Sequence, residues 1–395
     1  MPVETPRSGR RVDDGKKRNE MRTVRDFELK RFFNDSSASA ARANLSPSFA
    51  EPLSTAELLA LEPDAAAQLT RVPLSYTGMH GGLELRTAIA NQYRQLGPDA
   101  IIATCGADDA LSLLFMALVG AGDHVIVQSP IYQPLTSVAA WCGAEITLWP
   151  ARERDAWQPH LEHLRRLLQP ATRLIVVNFP HSPTGFVPDH EYLEQLNALA
   201  DDAGITVICD EIYRGLPLTD AGEPPSLADL SRRAVVVNSL SKGYGLPGLR
   251  VGWVATRNEE VLAKVKHLRM HVNSFVGAPS EFLATLALRQ TEQILGRNLT
   301  LAKNNLARLQ RFLRQHSDLF SWHDPRGGVV VYPRWLGDES TTVLSERLLQ
   351  EAGVLLAPSA YFGADERHVR LGFGTSTFPA SLAAFEEYLA SRRHG

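Results

Sequence analysis

The sequence of 395 residues has few cysteines, no strong excess of charge and no long apolar run. Its three cysteines, Cys105, Cys142 and Cys209, are far apart and follow no metal-ligand spacing. They predict small buried side chains in a reducing compartment rather than a disulfide framework or a metal site. No stretch approaches the roughly 18 apolar residues that can cross a membrane. We therefore expect a cytoplasmic protein without a membrane partner.

The charges are also close to balance, because 41 Lys and Arg residues face 44 Asp and Glu residues. A net charge of −3 argues against a nucleic-acid-binding surface. Residues 7–25 are locally basic but nearly lack large apolar side chains, so we expect residues 1–25 to be a disordered tail. With 44% hydrophobic residues, the rest of the chain can bury a large core.

Apolar runs and amphipathic helical segments alternate through the middle of the chain. The clearest runs, each rich in β-branched residues, are 124–130, 173–180, 205–211 and 234–241. They are apolar at successive positions, which is typical of parallel strands covered by helices on both faces. Helices are predicted at 55–61, 85–96, 109–119 and 189–204. The pattern predicts an α/β fold with a mostly parallel sheet, whose ligands bind at the carboxyl ends of the strands.

The last third of the chain has a different composition. A Leu- and Arg-rich helical stretch runs from about residue 282 to residue 320, and short apolar strands follow at 327–334, 353–359 and 368–374. We expect a smaller α+β domain at 291–395, a large domain at 71–290, and a segment at 26–70 that joins the small domain.

Three charged residues follow predicted strands and suit one kind of chemistry together. Asp210 ends one strand, Lys242 follows the next, and Arg250 lies eight residues further on. A lysine amine can bind an aldehyde cofactor as a Schiff base, and a buried carboxylate keeps a pyridine nitrogen protonated. The fixed cation of Arg250, with the hydroxyls of Ser239 and Ser241, suits a phosphate.

A helix start adds to this phosphate site. The turn at residues 105–111 opens a helix, so the backbone amides of Ala107 and Asp108 can point at an anion.

The segment SLSKGYGLPGLRVGW resembles the lysine segment of the class I and II aminotransferases, which are pyridoxal-5′-phosphate (PLP) enzymes of fold type I. DEIYRGL, PHSPTG, SPIYQPL and YTGMHGGLELR fall in the order of that family, and the resemblance spans about residues 74–374. It implies a fold type I transferase with a large PLP-binding domain, a smaller α+β domain, an amino-acid substrate and a homodimer with shared active sites.

By position, the resemblance also implies individual roles. Lys242 forms the internal aldimine and later moves the Cα proton, while Asp210 pairs with the pyridine nitrogen. Tyr213 binds the phenolic O3′ of PLP and Tyr132 stacks on its ring. The phosphate ligands are Ala107, Asp108, Ser239, Ser241 and Arg250. Arg370 binds the substrate α-carboxylate, and Tyr76 reaches the phosphate of the partner subunit.

One position departs from the family pattern. Where the family has an asparagine that donates to O3′, this chain has Ser182, and Asn178 is not its equivalent. A serine is shorter and reaches O3′ through a water, or it marks a site tuned away from plain transamination. The same segments look similar to a subgroup that includes capreomycidine synthase, which cyclises a modified arginine.

Several polar residues are candidates for substrate contact. His271, Asn273 and Ser274 lie in the polar stretch 269–283, His80 lies in the loop that carries Tyr76, and His181 lies beside the cofactor loop. A satisfied structural role is the alternative for each histidine.

The reaction stays open at this level. The common course is an external aldimine followed by a quinonoid, after which transamination competes with elimination, replacement or cyclisation, as in capreomycidine synthase or aminocyclopropane-carboxylate synthase. A non-catalytic regulator with the same fold is the alternative from another class, but the short basic tail shows no helix-turn-helix pattern.

Overall fold

A seven-stranded sheet organises the middle of the chain. The structure is a computed structural model that describes residues 23–34 and 41–393, so most of the predicted basic tail lies outside the described residues. The strands of this sheet are β2 (Ile101–Thr104), β3 (His124–Ser129), β4 (Glu145–Pro150), β5 (Thr172–Asn178), β6 (Thr206–Asp210), β7 (Val235–Ser239) and β8 (Gly252–Thr256). Their order is β2-β8-β7-β6-β5-β3-β4. Only β8 runs antiparallel to its neighbours, which confirms the mostly parallel α/β fold.

The apolar runs become strands because both of their faces are covered. Alternate residues of one strand enter different core clusters, as Ile126 does on one face and Val125 and Val127 do on the other. The strands β3 and β7 are buried at every position. Full burial on both faces explains why these strands lack polar alternation, and it places their polar ends at the edge of the sheet.

Helices and short elements fill the rest of the described chain. The helices are α1 (Glu28–Asn34), α2 (Thr55–Leu59), α3 (Ala65–Leu69), α4 (Leu83–Ala90), α5 (Ala107–Leu118), α6 (Pro134–Cys142), α7 (Leu161–Leu167), α8 (His190–Asp202), α9 (Leu227–Leu230), α10 (Glu259–Val272), α11 (Ala278–Arg289), α12 (Thr291–Gln315), α13 (Thr341–Ala352) and α14 (Phe378–Arg393). Short 3₁₀ turns cover Pro98–Ala100, Glu153–Asp155, Pro247–Leu249 and Ser359–Phe362.

The C-terminal part forms small sheets around its own core. Their strands are β9 (Phe320–Ser321), β10 (Val330–Val331), β11 (Arg334–Trp335), β12 (Val354–Leu355), β13 (Ala357–Pro358) and β14 (Val369–Gly372). The N-terminal strand β1 (Ala43–Asn44) pairs in parallel with β12. The N-terminal segment therefore packs against the C-terminal part of the chain. The predicted domain boundaries stay a prediction.

Some predicted elements differ from those observed. The helix predicted at residues 85–96 ends at Ala90, because the backbone N–H groups of Arg94 and Gln95 donate to the Asp229 carboxylate at 2.9 and 2.8 Å instead of continuing the helix. The stretch 282–320 divides into α11 and α12. Of the cysteines, only Cys209 is fully buried. Among the described helices, none combines the length and hydrophobicity needed to cross a membrane.

Candidate active site

A cavity of about 690 Å³ opens at the carboxyl ends of the parallel strands. Asn178, Asp210 and Ser239 end β5, β6 and β7 and line it. This is where an α/β sheet binds its ligands. The predicted site residues that line the same cavity are Ala107, Asp108, Tyr132, Ser182, Asp210, Tyr213, Ser239, Ser241, Lys242, Arg250 and Arg370.

Asp210 presents a carboxylate at the bottom of this cavity. The side chain is buried, and one of its oxygens, Oδ1, accepts a hydrogen bond from the backbone N–H of Ile212 at 3.2 Å. Burial raises the pKa of the Asp210 carboxyl to about 7, an effect that the charge of Asp108 reinforces. A cation placed against a carboxylate in this environment stabilises its charged form. A protonated ring nitrogen is a cation of this kind.

Lys242 follows β7 and extends its amine into the cavity. The amine Nζ donates to the Ser48 hydroxyl at 2.7 Å. Burial, together with the positive charge of Arg370, lowers the pKa of the Lys242 amine to about 8. About one tenth of the amine is therefore neutral, and so nucleophilic and basic, at pH 7, whereas an ordinary lysine with a pKa of about 10.4 is almost entirely charged.

One corner of the cavity is built for an anion. Helix α5 begins at Ala107, and the residue before it, Gly106, has a φ of +96°. Arg250 lies against this turn and donates to the carbonyl of Cys105 at 3.4 Å. A Cβ on Gly106 would lie 2.5 Å from the Arg250 guanidinium, so only glycine lets the cation approach the helix start. Amides, guanidinium and the hydroxyls of Ser239 and Ser241 together suit a phosphate.

Aromatic side chains form the side wall next to this corner. The hydroxyl of Tyr132 donates to the Asp108 carboxylate at 3.2 Å, and the Phe27 ring meets the Tyr132 ring edge-on at 5.3 Å. Lys30 of α1 pairs with the other oxygen of Asp108 at 3.2 Å. The Asp108 carboxylate next to the anion corner is therefore bound by Tyr132 and Lys30.

Tyr213 and Ser182 lie together at another wall. The Tyr213 hydroxyl donates to the backbone carbonyl of Ser48 at 2.7 Å, and Ser182 lines the same cavity. Burial raises the pKa of the Tyr213 phenol to about 12, so the hydroxyl keeps its proton. Asn178 holds this wall, because its side chain accepts from the Ser182 amide and donates to the Asp210 carbonyl, both at 2.7 Å.

Arg370 adds a buried cation to the cavity lining. It is 3% exposed, donates to the Ser46 carbonyl at 3.0 Å, and lies 4.9 Å over the Phe362 ring. Its Nε finds no partner among the described residues. Burial lowers the pKa of the guanidinium. A buried guanidinium with an unsatisfied N–H in a cavity is suited to a carboxylate ligand.

Two predicted histidines do not reach the cavity. His181 is completely buried, and its ring nitrogens contact the Thr184 hydroxyl at 2.7 Å and the Pro130 carbonyl at 2.8 Å. Burial lowers the pKa of His181 to about 4, so this neutral, satisfied side chain corrects the expectation of a substrate contact. His80 is half-buried and is not among the described residues that line the cavity.

Three further candidates lie on another face. Tyr76 is 84% exposed and its ring lies 4.7 Å from that of Phe275. His271 is exposed, and Asn273 donates to Asp109 at 3.5 Å. None of the three predicted residues is in the described lining of this chain's cavity.

The cavity lining also includes residues that were not predicted from the sequence, among them Phe27, Lys30, Ser48 and Asn178. Asn178 carried a detectable signal, because it ends a predicted strand beside Asp210. The other three belong to the N-terminal segment, which has no strand-end pattern, and they reach the cavity only through the folded chain.

The residues present fit the cofactor that the motifs imply. The anion corner suits its phosphate, the buried carboxylate of Asp210 suits its ring nitrogen, and the amine of Lys242 suits its aldehyde. The unsatisfied Nε of Arg370 leaves a donor for the carboxylate of an amino acid.

The comparisons with known proteins agree with this geometry. The sequence profile of "Aminotransferase class I and II" matches residues 49–380. Capreomycidine synthase of Streptomyces vinaceus is 31% identical over 379 residues, which cover 94% of this chain and 94% of that enzyme.

Two crystal structures are also similar. A PLP-dependent aminotransferase from Streptococcus suis is 32% identical with a TM-score of 0.88, and the match covers 93% of this chain and 98% of that one. The PLP-dependent cyclase OrfR is 29% identical with a TM-score of 0.84 and the same coverage, 93% and 98%. The chain therefore belongs to the class I and II aminotransferase family and is a PLP-dependent enzyme of fold type I.

Proposed function

We propose that this enzyme converts an α-amino acid by moving its Cα proton, with transamination as the first candidate reaction. The observation that carries the proposal is that Lys242, Asp210, Arg250 and Arg370 all line one cavity. PLP, when bound, supplies an aldehyde that condenses with amines and a ring that withdraws electrons from the substrate Cα.

The protein residues divide the work of binding between the two ends of the cavity. Arg250, the hydroxyls of Ser239 and Ser241 and the start of α5 would hold the phosphate, and Tyr132 would pack against the ring. Asp210 would keep the ring nitrogen protonated, because a buried carboxylate favours a proton on a neighbouring base. These assignments follow from charge, burial and shared lining.

Lys242 is the group that handles protons. Lys242 would hold the cofactor through its amine, and the released amine would act as a base for the Cα proton. The lowered pKa of this amine supports the role, because a base with a pKa of about 8 can accept a proton and return it near neutral pH.

Arg370 orients the substrate through its α-carboxylate. Its guanidinium is buried, its Nε is unsatisfied among the described residues, and Phe362 and the Ser46 carbonyl fix its position. A planar, fixed guanidinium binds a carboxylate through paired hydrogen bonds, so it defines how the Cα–H bond is presented to Lys242.

Tyr213 and Ser182 would bind the phenolic oxygen of PLP. Because Asn178 fixes the backbone of Ser182, the short hydroxyl stays in the cavity lining. The loss of the family asparagine makes this the place where the reaction course is tuned.

Cyclisation or elimination at the side chain is the second candidate. It is favoured by the similarity to capreomycidine synthase over 94% of the chain, by the similarity to a PLP-dependent cyclase, and by Ser182. Both candidates share the steps at Cα, and they differ only in where the proton and the leaving group go afterwards.

The assembly we propose is a homodimer with shared active sites. Apolar side chains that stay exposed on one chain are concentrated in two stretches, namely Leu74, Tyr76, Met79 and Leu83 in the first and Met270 and Val272 in the second. The rings of Tyr76 and Phe275, which lie 4.7 Å apart with an angle of 32° between their planes, connect the first stretch to the chain just after the second. A contiguous apolar face of this kind marks an interface, and a second copy would bring Tyr76, His271 and Asn273 towards the partner's cavity.

Product analysis separates the candidate reactions. We expect amino acids, arginine derivatives and S-adenosylmethionine, when screened by stopped-flow absorbance, to include one that changes the cofactor spectrum. Mass spectrometry of its product should show a keto acid for transamination. A cyclic or eliminated product would support the second candidate, and no spectral response to any compound would contradict both.

The amine of Lys242 should titrate near pH 8. In cofactor-free protein, trace labelling with acetic anhydride and peptide mass spectrometry should show acetylation of Lys242 rising through a midpoint of about 8. Nα-acetyl-lysine in the same tube should follow the ordinary value of about 10.4. A Lys242 midpoint above about 10 would remove the argument that burial prepares the base.

Replacement of Arg370 should weaken substrate recognition. Arg370→Ala removes a charge-assisted contact of about 1.5–3 kcal/mol, so kcat/KM should fall about 10- to 150-fold, mainly through KM. Arg367→Ala is the matched control, because this guanidinium binds backbone carbonyls such as that of Trp335 at 3.1 Å. An unchanged KM for Arg370→Ala would move the carboxylate site elsewhere.

The dimer can be tested directly. Sedimentation velocity of the cofactor-loaded protein should give about twice the chain mass of 43.5 kDa. A stable monomer with full turnover would contradict the shared site.

A further inference from the structure

A short N-terminal segment, residues 45–51, forms part of the cavity wall and is held from two sides. On one side, the Leu45 carbonyl accepts from the Gly372 amide of β14 at 2.7 Å. On the other, the Ala50 amide donates to the Lys242 carbonyl at 3.0 Å. We call residues 45–51 the wall segment. It connects the strand that carries Arg370 with the loop that carries Lys242.

Close backbone approach fixes the position of the wall segment. A Cβ on Gly372 would collide with the Pro47 carbonyl, and a Cβ on Gly374 would collide with the Phe49 carbonyl. A Cβ on Gly245, in the loop after Lys242, would lie 2.5 Å from the Glu51 carbonyl. The residues on either side of Ser48 are therefore packed against glycines, and Ser48 has little freedom to move.

Ser48 contacts two of the proposed catalytic groups at once. Its hydroxyl accepts a hydrogen bond from the Lys242 amine at 2.7 Å, and its backbone carbonyl accepts one from the Tyr213 hydroxyl at 2.7 Å. Two residues earlier, the Ser46 carbonyl binds Arg370 at 3.0 Å. The wall segment thus presents one fixed hydroxyl to the lysine, between the groups that bind cofactor and substrate.

A fixed partner matters because a lysine amine sits on a flexible four-carbon stem. When the amine is free it can adopt many rotamers, whereas proton transfer requires a defined position relative to the Cα–H bond. A hydrogen bond to an immobile hydroxyl reduces that freedom. It also stabilises the protonated amine, since an ammonium donates to a hydroxyl oxygen.

We propose that Ser48 is a positioning residue for Lys242. The Ser48 hydroxyl accepts a hydrogen bond from the free lysine amine and holds that amine where it can exchange a proton with the substrate Cα. This inference rests on the proposed function. In the step concerned, the Cα–H bond breaks, its proton moves to Nζ, and its electron pair stays with the substrate carbon. Ser48 forms no covalent bond and contributes only the hydrogen bond.

The first test needs no substrate. In cofactor-free Ser48→Ala and Ser48→Gly proteins, the midpoint for acetylation of Lys242 should lie about one pH unit lower than in the wild type, because the protonated amine has lost its acceptor. Two variants that lack the hydroxyl guard against a folding defect in either one. Ser54→Ala is the matched control, since the Ser54 hydroxyl caps α2 by accepting from the Glu57 amide at 3.2 Å. Its midpoint should equal that of the wild type.

The second test follows the proton itself. With L-arginine as the probe, proton NMR in D₂O measures exchange of the Cα proton by the cofactor-loaded proteins. Both Ser48 variants should exchange the Cα proton about tenfold more slowly than the wild type, because a displaced base slows proton transfer. The arginine concentration that gives the half-maximal rate should stay unchanged, because substrate binding is not affected. Ser54→Ala should exchange at the wild-type rate. If the wild type does not exchange this probe, the labelling profile decides alone.

The outcomes separate this inference from the proposed function. Unchanged midpoints in both Ser48 variants would overturn the role of Ser48, and so would unchanged exchange rates, while wild-type exchange would leave the proposed function intact. If the wild type takes up no PLP, the proposed function fails, and the labelling profile still shows whether Ser48 holds the amine.

Discussion

The parallel pairing of β6 and β7 is the constraint on which the site depends. In this register Asp210 pairs with Val237, two residues before β7 ends at Ser239. Lys242 lies in the loop that follows this strand end. A carboxylate and an amine are thereby held at one edge of the sheet, where burial raises the pKa of the acid and lowers the pKa of the amine. Each shift disfavours the charged form, and each is relieved when a cofactor supplies a ring cation for the acid and a carbonyl for the amine. Because the side chains on the two faces of these strands pack into different core clusters, a slip of register would disrupt the packing on both faces, so the core keeps Asp210 and Lys242 at this edge.

The second half of the site comes from the ends of the chain. β14 carries Arg370, the wall segment carries Ser48, α1 supplies Lys30, and the residue before α1 is Phe27. The pairing of β1 with β12 brings the N-terminal segment to the C-terminal part, and Gly372 in β14 and Gly374 after it let the two backbones meet closely. The sheet thus supplies Asp210 and the strand end before Lys242, whereas the two ends of the chain close the rest of the cavity.

Much of this arrangement could be predicted from the sequence. Strands covered on both faces give continuous apolar runs, and polar residues that interrupt those runs, such as Asp210, mark the carboxyl edge. Ser48 could not be found in this way, because its contact with Lys242 spans 194 positions and leaves no local pattern. His181 shows the opposite error: it lies next to the cofactor loop in sequence, but its ring turns into the core, where Thr184 and Pro130 satisfy it. Neighbourhood in sequence does not fix the direction of a side chain.

The central claim is that the Lys242 amine bonds to the cofactor within this cavity. Borohydride reduction of the purified, PLP-loaded protein, followed by peptide mass spectrometry, locates that bond. We predict that the reduced cofactor is found on the peptide that contains Lys242 and that Lys242→Ala protein shows no such adduct. A reduced cofactor attached to another lysine, or the absence of any adduct in the wild type, would contradict the account.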